Sequence, residues 1–384
     1  MSGIMEDAGY VLRHNARCVT SIRAETNADL FLVATVGVKG VRDLPGKSQT
    51  GAPSHDVQLL EYNDDTAEVQ CLRIYAHPGE VWSLSPCPRD KSLFASLHTS
   101  TKSSHALEAS VFKMSDIEEE VVTTLTSPLE KFASLDDRPS SVTALQWGGT
   151  ESLLLTCAGM ELASWAALDS GLQVQSRAKI NRNDLGVTST GKVSTLSWDP
   201  FHSAGVACAC GQSIVGLDLR SGKTTFSIKY AHDLNVRDID YSPSRQHFLA
   251  SAGDDGSIRS HDLRRANTKA GSLCIPSAHA HSIMTLRHCP ASDRLIASGG
   301  SDGFTRLWDT SKAFVEEGAM QDFFASSDRS GLIQERGEQQ GSRLDSIYSL
   351  AWAAKDKWTY AAVSFDGRLF MQTVPQEIKY SILL

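Results

Sequence analysis

The sequence lacks the features of membrane, secreted and nucleic-acid-binding proteins. No segment approaches the roughly 20 apolar residues that a membrane-spanning helix needs, and the chain does not open with a basic start followed by an apolar stretch. There is no Lys/Arg-rich run and the formal net charge is −8, whereas a nucleic-acid-binding surface is basic. We therefore expect a cytoplasmic protein without direct membrane insertion and without a nucleic-acid partner.

Motifs for metal binding and cofactor binding are also missing. The eight cysteines include no CxxC pair, and Cys208 and Cys210 flank one alanine in an apolar run, which indicates small buried residues in a reducing compartment. No Walker loop, dinucleotide fingerprint or HExxH motif occurs. His279 and His281 form an HxH pair, but His279 has another predicted role, given below. We expect no cofactor and no bound metal.

The sequence does contain an internal repeat. The segments Ala231–Asp262 and Ala278–Asp309 align without a gap. Both contain Ala-His, an alternating apolar strand, a Pro-containing turn, a second apolar strand, an Asp-Gly turn and a third strand that ends in His-Asp or Trp-Asp. Because an Asp-Gly pair between two strand-like runs predicts a β-hairpin, each copy predicts a small antiparallel sheet.

Weaker copies bring the total to seven, and they begin at Ala16, Ala76, Ser141, Lys192 and Ser346. Their spacing is close to the roughly 40–45 residues of a WD repeat, which forms one four-stranded blade. The sequence therefore predicts an all-β fold in which residues 1–384 form a single seven-bladed WD40 β-propeller. We expect Tyr10–Arg13 to supply the outer strand of the last blade and so to close the ring.

Polar stretches interrupt the repeats at about residues 41–56, 117–138 and 311–345. Their composition predicts loops, of which 311–345 is expected to be mobile and dispensable for folding. The second stretch includes the acidic run Glu118-Glu119-Glu120. Such a run is either solvated surface or a docking peptide for a basic partner.

Ser, His and Asp recur together in the two clearest repeats, so a hydrolase has to be considered. The sets are His279, Ser298, Asp302 and Trp308 in blade six, and His232, Ser251 and Asp255 in blade five. A catalytic triad needs one activated Ser at a special turn, whereas here the set repeats and each Ser lies in the middle of a strand. We therefore predict structural hydrogen-bond networks and no enzymatic activity.

Two blades depart from this pattern. His261 stands in blade five where Trp308 stands in blade six, and blade seven has Ala362 and Gln372 in place of Ser and Trp. We expect these blades to be held by packing more than by a polar network.

The residue after the first apolar residue of each innermost strand should lie near the mouth of the central channel. Around the ring these residues are Thr20, Trp82, Thr143, Ser194, Arg237, Met284 and Tyr348. Trp82, Arg237, Met284 and Tyr348 lie in one sector from blade five to blade two, and Trp, Tyr and Arg are the residue types that dominate interface hot spots. We predict that this sector binds a protein partner; the alternative is that Trp82 and Tyr348 only plug the channel.

Blocks at both ends and in the middle resemble a particular WD40 family. GYVLRHNARCVTSIRAET, AHPGEVW, AHDLNVRDIDYSP and DSIYSLAW…SFDGRLF…VPQEIKYSILL are similar to the family of EARP- and GARP-interacting proteins, which includes plant DWD-box relatives. The resemblance covers essentially the whole chain. It implies a scaffold, monomeric by itself, that works with EARP/GARP tethering subunits in endosomal recycling and endosome-to-Golgi transport and is recruited to the trans-Golgi network and endosomes.

The plant relatives imply a second role, as substrate receptors of the cullin-4 ubiquitin ligase. That role depends on a WDxR motif whose arginine contacts the ligase adaptor. This chain has LDLR ending at Arg220 and HDLR ending at Arg264, so the Asp and Arg are present and the Trp is missing. Either these arginines bind an adaptor through their planar forks of donors, or they pair with a neighbouring carboxylate at the rim.

Overall fold

Small antiparallel sheets follow one another along the chain. The computed structural model describes residues 9–37, 55–100, 106–115, 126–135, 141–148, 152–168, 171–186, 191–266, 272–316, 331–339 and 342–384. Within these residues seven sheets of at least four strands each surround a channel. The structure is a seven-bladed β-propeller, which confirms the predicted fold class.

The blades share one order, in which the first strand lines the channel and each later strand lies further out. From the channel outward, blade one contains Asn15–Ser21, Asp29–Val36, His55–Asn63 and Glu68–His77, and blade two contains Val81–Pro86, Leu93–Thr99, Leu107–Met114 and Leu129–Ser134. Blade three contains Ala144–Gly148, Leu153–Ala158, Glu161–Leu168 and Gly171–Lys179. Blade four contains Val193–Trp198, Gly205–Cys210, Ser213–Asp218 and Lys223–Ile228.

The remaining blades follow the same order. Blade five contains Val236–Tyr241, Phe248–Gly253, Ile258–Asp262 and Ser272–Ile275; blade six contains Ile283–Cys289, Ser292–Gly300, Thr305–Asp309 and Leu332–Arg336; blade seven contains Ile347–Trp352, Thr359–Ser364, Arg368–Thr373 and Gly9–Val11.

Short additional elements decorate the disc. Thr126–Ser127 adds a parallel strand to blade one and Val315–Glu316 an antiparallel strand to blade five. The others are a hairpin of Glu338–Gln339 with Ser342–Arg343, the 3₁₀ turns Arg182–Asp184 and Leu263–Arg265, and the helices Thr310–Ala313 and Gln376–Leu383. No helix among the described residues is long and apolar enough to cross a bilayer.

The first strand of the chain closes the ring. Gly9–Val11 pairs antiparallel with the third strand of blade seven, with Gly9 opposite Phe370 and Val11 opposite Arg368. The Leu12 N–H then donates to the Gly367 carbonyl over 2.8 Å. This strand overlaps the segment Tyr10–Arg13 that the sequence assigns to the same position, and it covers the outer edge of blade seven.

The apolar core lies between blades. Seven clusters of buried residues occur among the described residues, and each joins two consecutive blades. The cluster between blades seven and one, for example, combines Val363 and Leu369 with Val19 and Val33. Because each blade buries both faces against its neighbours, the stability of every blade depends on the completed ring.

The predicted loops differ from the structure where outer strands lie. Within 117–138, Leu129–Ser134 is the outer strand of blade two, and within 311–345, Leu332–Arg336 is the outer strand of blade six. His55 and Asp56 begin a strand of blade one. These strands face solvent in part and therefore read as polar segments. The rest of the three stretches is partly outside the described residues, including Glu118-Glu119-Glu120 and residues 317–330.

Candidate functional site

The channel mouth is built from one repeated irregularity. In six blades, the register between the innermost strand and the next strand shifts at one residue near the start of the innermost strand. A β-bulge of this kind re-aims the extra side chain. The six residues, which line the channel together with Thr143 of blade three, are Arg17, Trp82, Ser194, Arg237, Met284 and Tyr348.

The position in blade one differs from the sequence prediction. Thr20 also lines the channel, but the shift in blade one lies between Ala16 and Cys18, so Arg17 is the equivalent of Trp82. The degenerate first repeat hides this register. The available signal is that Arg17 follows the buried Ala16 as Trp82 follows the buried Val81.

Arg17 lies in a cage of aromatic rings. Its guanidinium carbon is 4.3 Å from the ring centroid of Trp82, 5.3 Å from Phe365 and 5.9 Å from Tyr348. Its Nη1 donates to Glu80 Oε1 over 2.5 Å. We call Trp82, Tyr348, Phe365 and Glu80 the mouth cage. A guanidinium on aromatic faces beside a carboxylate is held by cation–π attraction and an ion pair together.

The other two predicted residues of the sector lie on the same mouth, outside the cage. Arg237 is exposed and donates from Nε to Asp254 Oδ1 over 2.5 Å. Burial opposes the ionisation of Asp254, but the hydrogen bond and charge of Arg237 lower its pKa below the ordinary value. Met284 is half-buried in the channel wall. The structure therefore places Trp82, Arg237, Met284 and Tyr348 around one opening.

Charged residues further along the channel join blades five and six. Asp238 accepts from Arg287 Nη1 and from the Leu286 backbone N–H over 2.9 Å. Asp240 accepts from the His288 backbone N–H over 2.8 Å. Burial raises the pKa of Asp238, although Arg287 opposes the effect. These contacts cross from one innermost strand to the next, which indicates a structural role that the sequence pattern does not reveal.

The Ser, His and Asp of blade six form a buried chain. Trp308 Nε1 donates to Ser298 Oγ over 3.0 Å, Ser298 Oγ lies 2.8 Å from His279 Nε2, and His279 Nδ1 lies 2.9 Å from Asp302. Burial lowers the pKa of His279. Burial opposes ionisation of Asp302, but His279 and Arg306 lower its pKa below the ordinary value. A neutral imidazole therefore accepts from Ser298 and donates to a carboxylate.

The prediction that blade five is held by packing more than by a polar network is wrong. His232 bonds Asp255 through Nδ1 at 3.0 Å and Ser251 through Nε2 at 2.8 Å. His261 Nε2 lies 2.8 Å from Ser251 Oγ and takes the place of the Trp308 indole. The chain is complete because an imidazole N–H donates as an indole N–H does.

The rim arginines lie on the opposite face of the disc. The innermost strands start at the mouth and successive strands alternate in direction, so the third strands end at the far face, where Arg220 and Arg264 follow them. Arg264 donates from Nε and Nη2 to the two oxygens of Asp262 over 2.8 and 2.6 Å. The Arg220 side chain is 85% exposed, with its Nη2 3.7 Å from Asp218.

Known proteins match this chain over nearly its full length. The family model described as EIPR1 beta-propeller matches residues 4–308. The EARP-interacting protein homolog of Gekko japonicus is 27% identical over 98% of this chain and 98% of its own length. WD repeat-containing protein DWA2 of Arabidopsis thaliana is 29% identical over 97% and 98%, and EARP and GARP complex-interacting protein 1 of Homo sapiens is 25% identical over 98% of both.

Proposed function

Because this chain belongs to the EIPR1 beta-propeller family, we propose that it is a non-catalytic scaffold that binds subunits of EARP- and GARP-type tethering complexes. In this role it takes part in endosomal recycling and endosome-to-Golgi transport. It acts from the cytoplasm and is recruited to endosomes and the trans-Golgi network. Relatives whose names state that they interact with EARP, or with the EARP and GARP complexes, match 98% of the chain, which supports the proposal.

The observation that carries the proposal is the composition of the channel mouth. Arg17, Trp82, Arg237, Met284 and Tyr348 lie side by side in the sector from blade five to blade two. Trp82 is 47% exposed, although a tryptophan is costly to leave in water. Trp, Tyr and Arg dominate interface hot spots because they bury a large area and keep a polar group for a partner. We propose that this sector is the docking surface.

The proposal of a non-catalytic role is supported by the state of the nucleophilic side chains. Ser298 and Ser251 are fully buried and take part in the hydrogen-bonded chains of their blades. Burial raises the pKa of Cys157 to about 12 and that of Cys208 well above its ordinary value. Inaccessible thiols with such pKa values are poor nucleophiles.

A second candidate function places the partner on the far face. The match to the plant protein DWA2 and the exposed Arg220 favour a cullin-4 ligase adaptor as the partner. Arg264 would have to share its donors, since both oxygens of Asp262 already accept from it. The two candidate surfaces lie on opposite faces, so their partners can be separated by mutation.

Affinity purification of the tagged chain followed by mass spectrometry tests the proposed function. We expect recovery of tethering subunits, with equal recovery by an Arg264→Ala variant that changes only the far face. Recovery of the ligase adaptor without tethering subunits, abolished by Arg264→Ala, would favour the second function and contradict the first.

A further inference from the structure

The mouth cage holds a cation that the chain itself supplies. Its walls come from two blades that flank Arg17, because Trp82 and Glu80 belong to blade two, and Tyr348 and Phe365 belong to blade seven. Three rings lie within 6 Å of one guanidinium carbon. This arrangement of π faces is the one that proteins use to bind ammonium and guanidinium groups of ligands.

The hydrogen-bond donors of Arg17 are only partly used within the cage. Its Nη1 bonds Glu80, but its buried Nε has no hydrogen-bond partner among the residues that the structure describes. A buried donor without an acceptor destabilises the arrangement that contains it. One wall, Trp82, is open to solvent, so a ligand can reach the cage from the mouth.

The fold does not require an arginine at this position of the ring. The equivalent bulged residue in blade four is Ser194, and Thr143 occupies the corresponding place in blade three. Removal of the Arg17 side chain therefore leaves the backbone of the innermost strand in a form that other blades adopt with small polar residues.

We propose that the mouth cage binds a basic side chain, Arg or Lys, of a partner segment, and that Arg17 is an internal occupant that moves aside when the partner docks. The inference rests on the proposed docking role of the mouth. An acidic side chain is excluded on charge, because it would meet the Glu80 carboxylate and the negative faces of three rings. A basic side chain is attracted by both.

The first test empties the cage and offers it a small cation. In an Arg17→Ser variant, calorimetric titration with N-acetyl-arginine amide should show binding that the wild-type chain lacks. N-acetyl-citrulline amide, which has nearly the same shape without the charge, should bind about tenfold more weakly or not at all. Adding Trp82→Ala or Glu80→Gln to the serine variant should each weaken binding of the arginine probe about tenfold.

Arg245→Ala is the matched control. Arg245 also lies on an aromatic ring, with its guanidinium carbon 3.9 Å from the Phe248 centroid, but among the described residues its site has this ring alone. This variant should not bind the arginine probe. A folded Arg17→Ser chain that fails to bind the arginine probe, or that binds the citrulline probe equally well, would overturn the proposal.

The second test uses the partner and the otherwise wild-type chain. Neutralising the cage with Glu80→Gln should weaken capture of tethering subunits about tenfold if the docking side chain is basic. Stronger capture would mean that the partner offers an acidic group to Arg17, and unchanged capture would mean that it bypasses the cage; either result overturns the proposal. Probe binding is measured without any partner, so failure of the cage and failure of the docking role can be told apart.

Discussion

At the scale of single residues, buried histidines make the stability of the disc depend on pH. His77 ends the outer strand of blade one and contacts Ser96 of blade two, His261 lies in blade five, and both are almost fully buried. Burial lowers the pKa of each to about 3, and a neighbouring histidine adds to the effect in both cases. Each imidazole bonds a buried serine, Ser96 or Ser251, in its neutral form. Protonation therefore places a charge in the buried interior.

The direction of the pH dependence follows from these values. An unfolded histidine has a pKa near 6.5, so between about pH 6.5 and 3 the unfolded chain binds more protons than the native chain. The contribution to stability is fully present above about pH 6.5 and falls with decreasing pH. We predict that the free energy of unfolding in urea falls by about 1.4 kcal/mol per pH unit for each histidine between pH 6 and 5.

Two variants test whether the buried histidines cause this dependence of the free energy of unfolding on pH. His261→Trp introduces the indole donor found in blade six. It should reduce the slope of the free energy of unfolding against pH by the contribution of one histidine. His281→Ala, at an exposed position, should leave the slope unchanged. A free energy of unfolding that stays constant from pH 7.5 to 5 would contradict this account of the buried networks.

The same residues show what sequence reasoning can and cannot reach. The recurrence of Ala-His, Ser and Asp at fixed spacing predicts which side chains meet, because the spacing is that of paired strands in one blade. The role of His261 is missed, because the repeat pattern has a tryptophan at this position. The imidazole N–H of His261 nevertheless donates in the same place. Arg17 is missed because the segment ARCVTSI offers both Ala16 and Val19 as the apolar residue that opens the strand.

At the scale of elements, the strand Gly9–Val11 is the part of the chain that closes the ring. Its removal exposes the edge of Arg368–Thr373 in blade seven. We predict that a chain lacking residues 1–11 melts roughly 3–6 °C lower than a chain lacking only residues 1–8, which corresponds to a few kcal/mol in a protein of this size. Equal melting temperatures by calorimetry would show that the strand does not contribute to closure.

Outer strands are the elements that the sequence predicts least well. The second strands of the blades are buried on both faces and read as apolar runs, such as Asp29–Val36 or Gly205–Cys210. Outer strands face solvent in part and carry polar residues, so Leu129–Ser134 and Leu332–Arg336 resemble loops in composition. Their presence follows from the blade architecture, which needs a fourth strand, more than from their own residues.

At the scale of the whole molecule, the disc is a closed ring with two opposite faces. The seven core clusters between consecutive blades make the ring cooperative. The number of repeats predicts this architecture without any long-range information. The repeats predict that Trp82 and Tyr348 lie at the mouth, but they do not predict the bulges that turn these side chains there, because the bulges depend on strand pairing.

A binding titration of single-residue variants tests whether the mouth is the docking surface. Tethering subunits are titrated onto the wild-type chain, a Trp82→Ala variant and an Arg264→Ala variant, with a thermal melt of each. We predict that Trp82→Ala weakens binding by roughly 1–4 kcal/mol, as expected for an interface hot spot, with a nearly unchanged melting temperature because Trp82 is 47% exposed and lies outside the core clusters between the blades. Arg264→Ala should bind like the wild type. Undiminished binding by Trp82→Ala, together with loss of binding by Arg264→Ala, would contradict the account and move the docking surface to the opposite face.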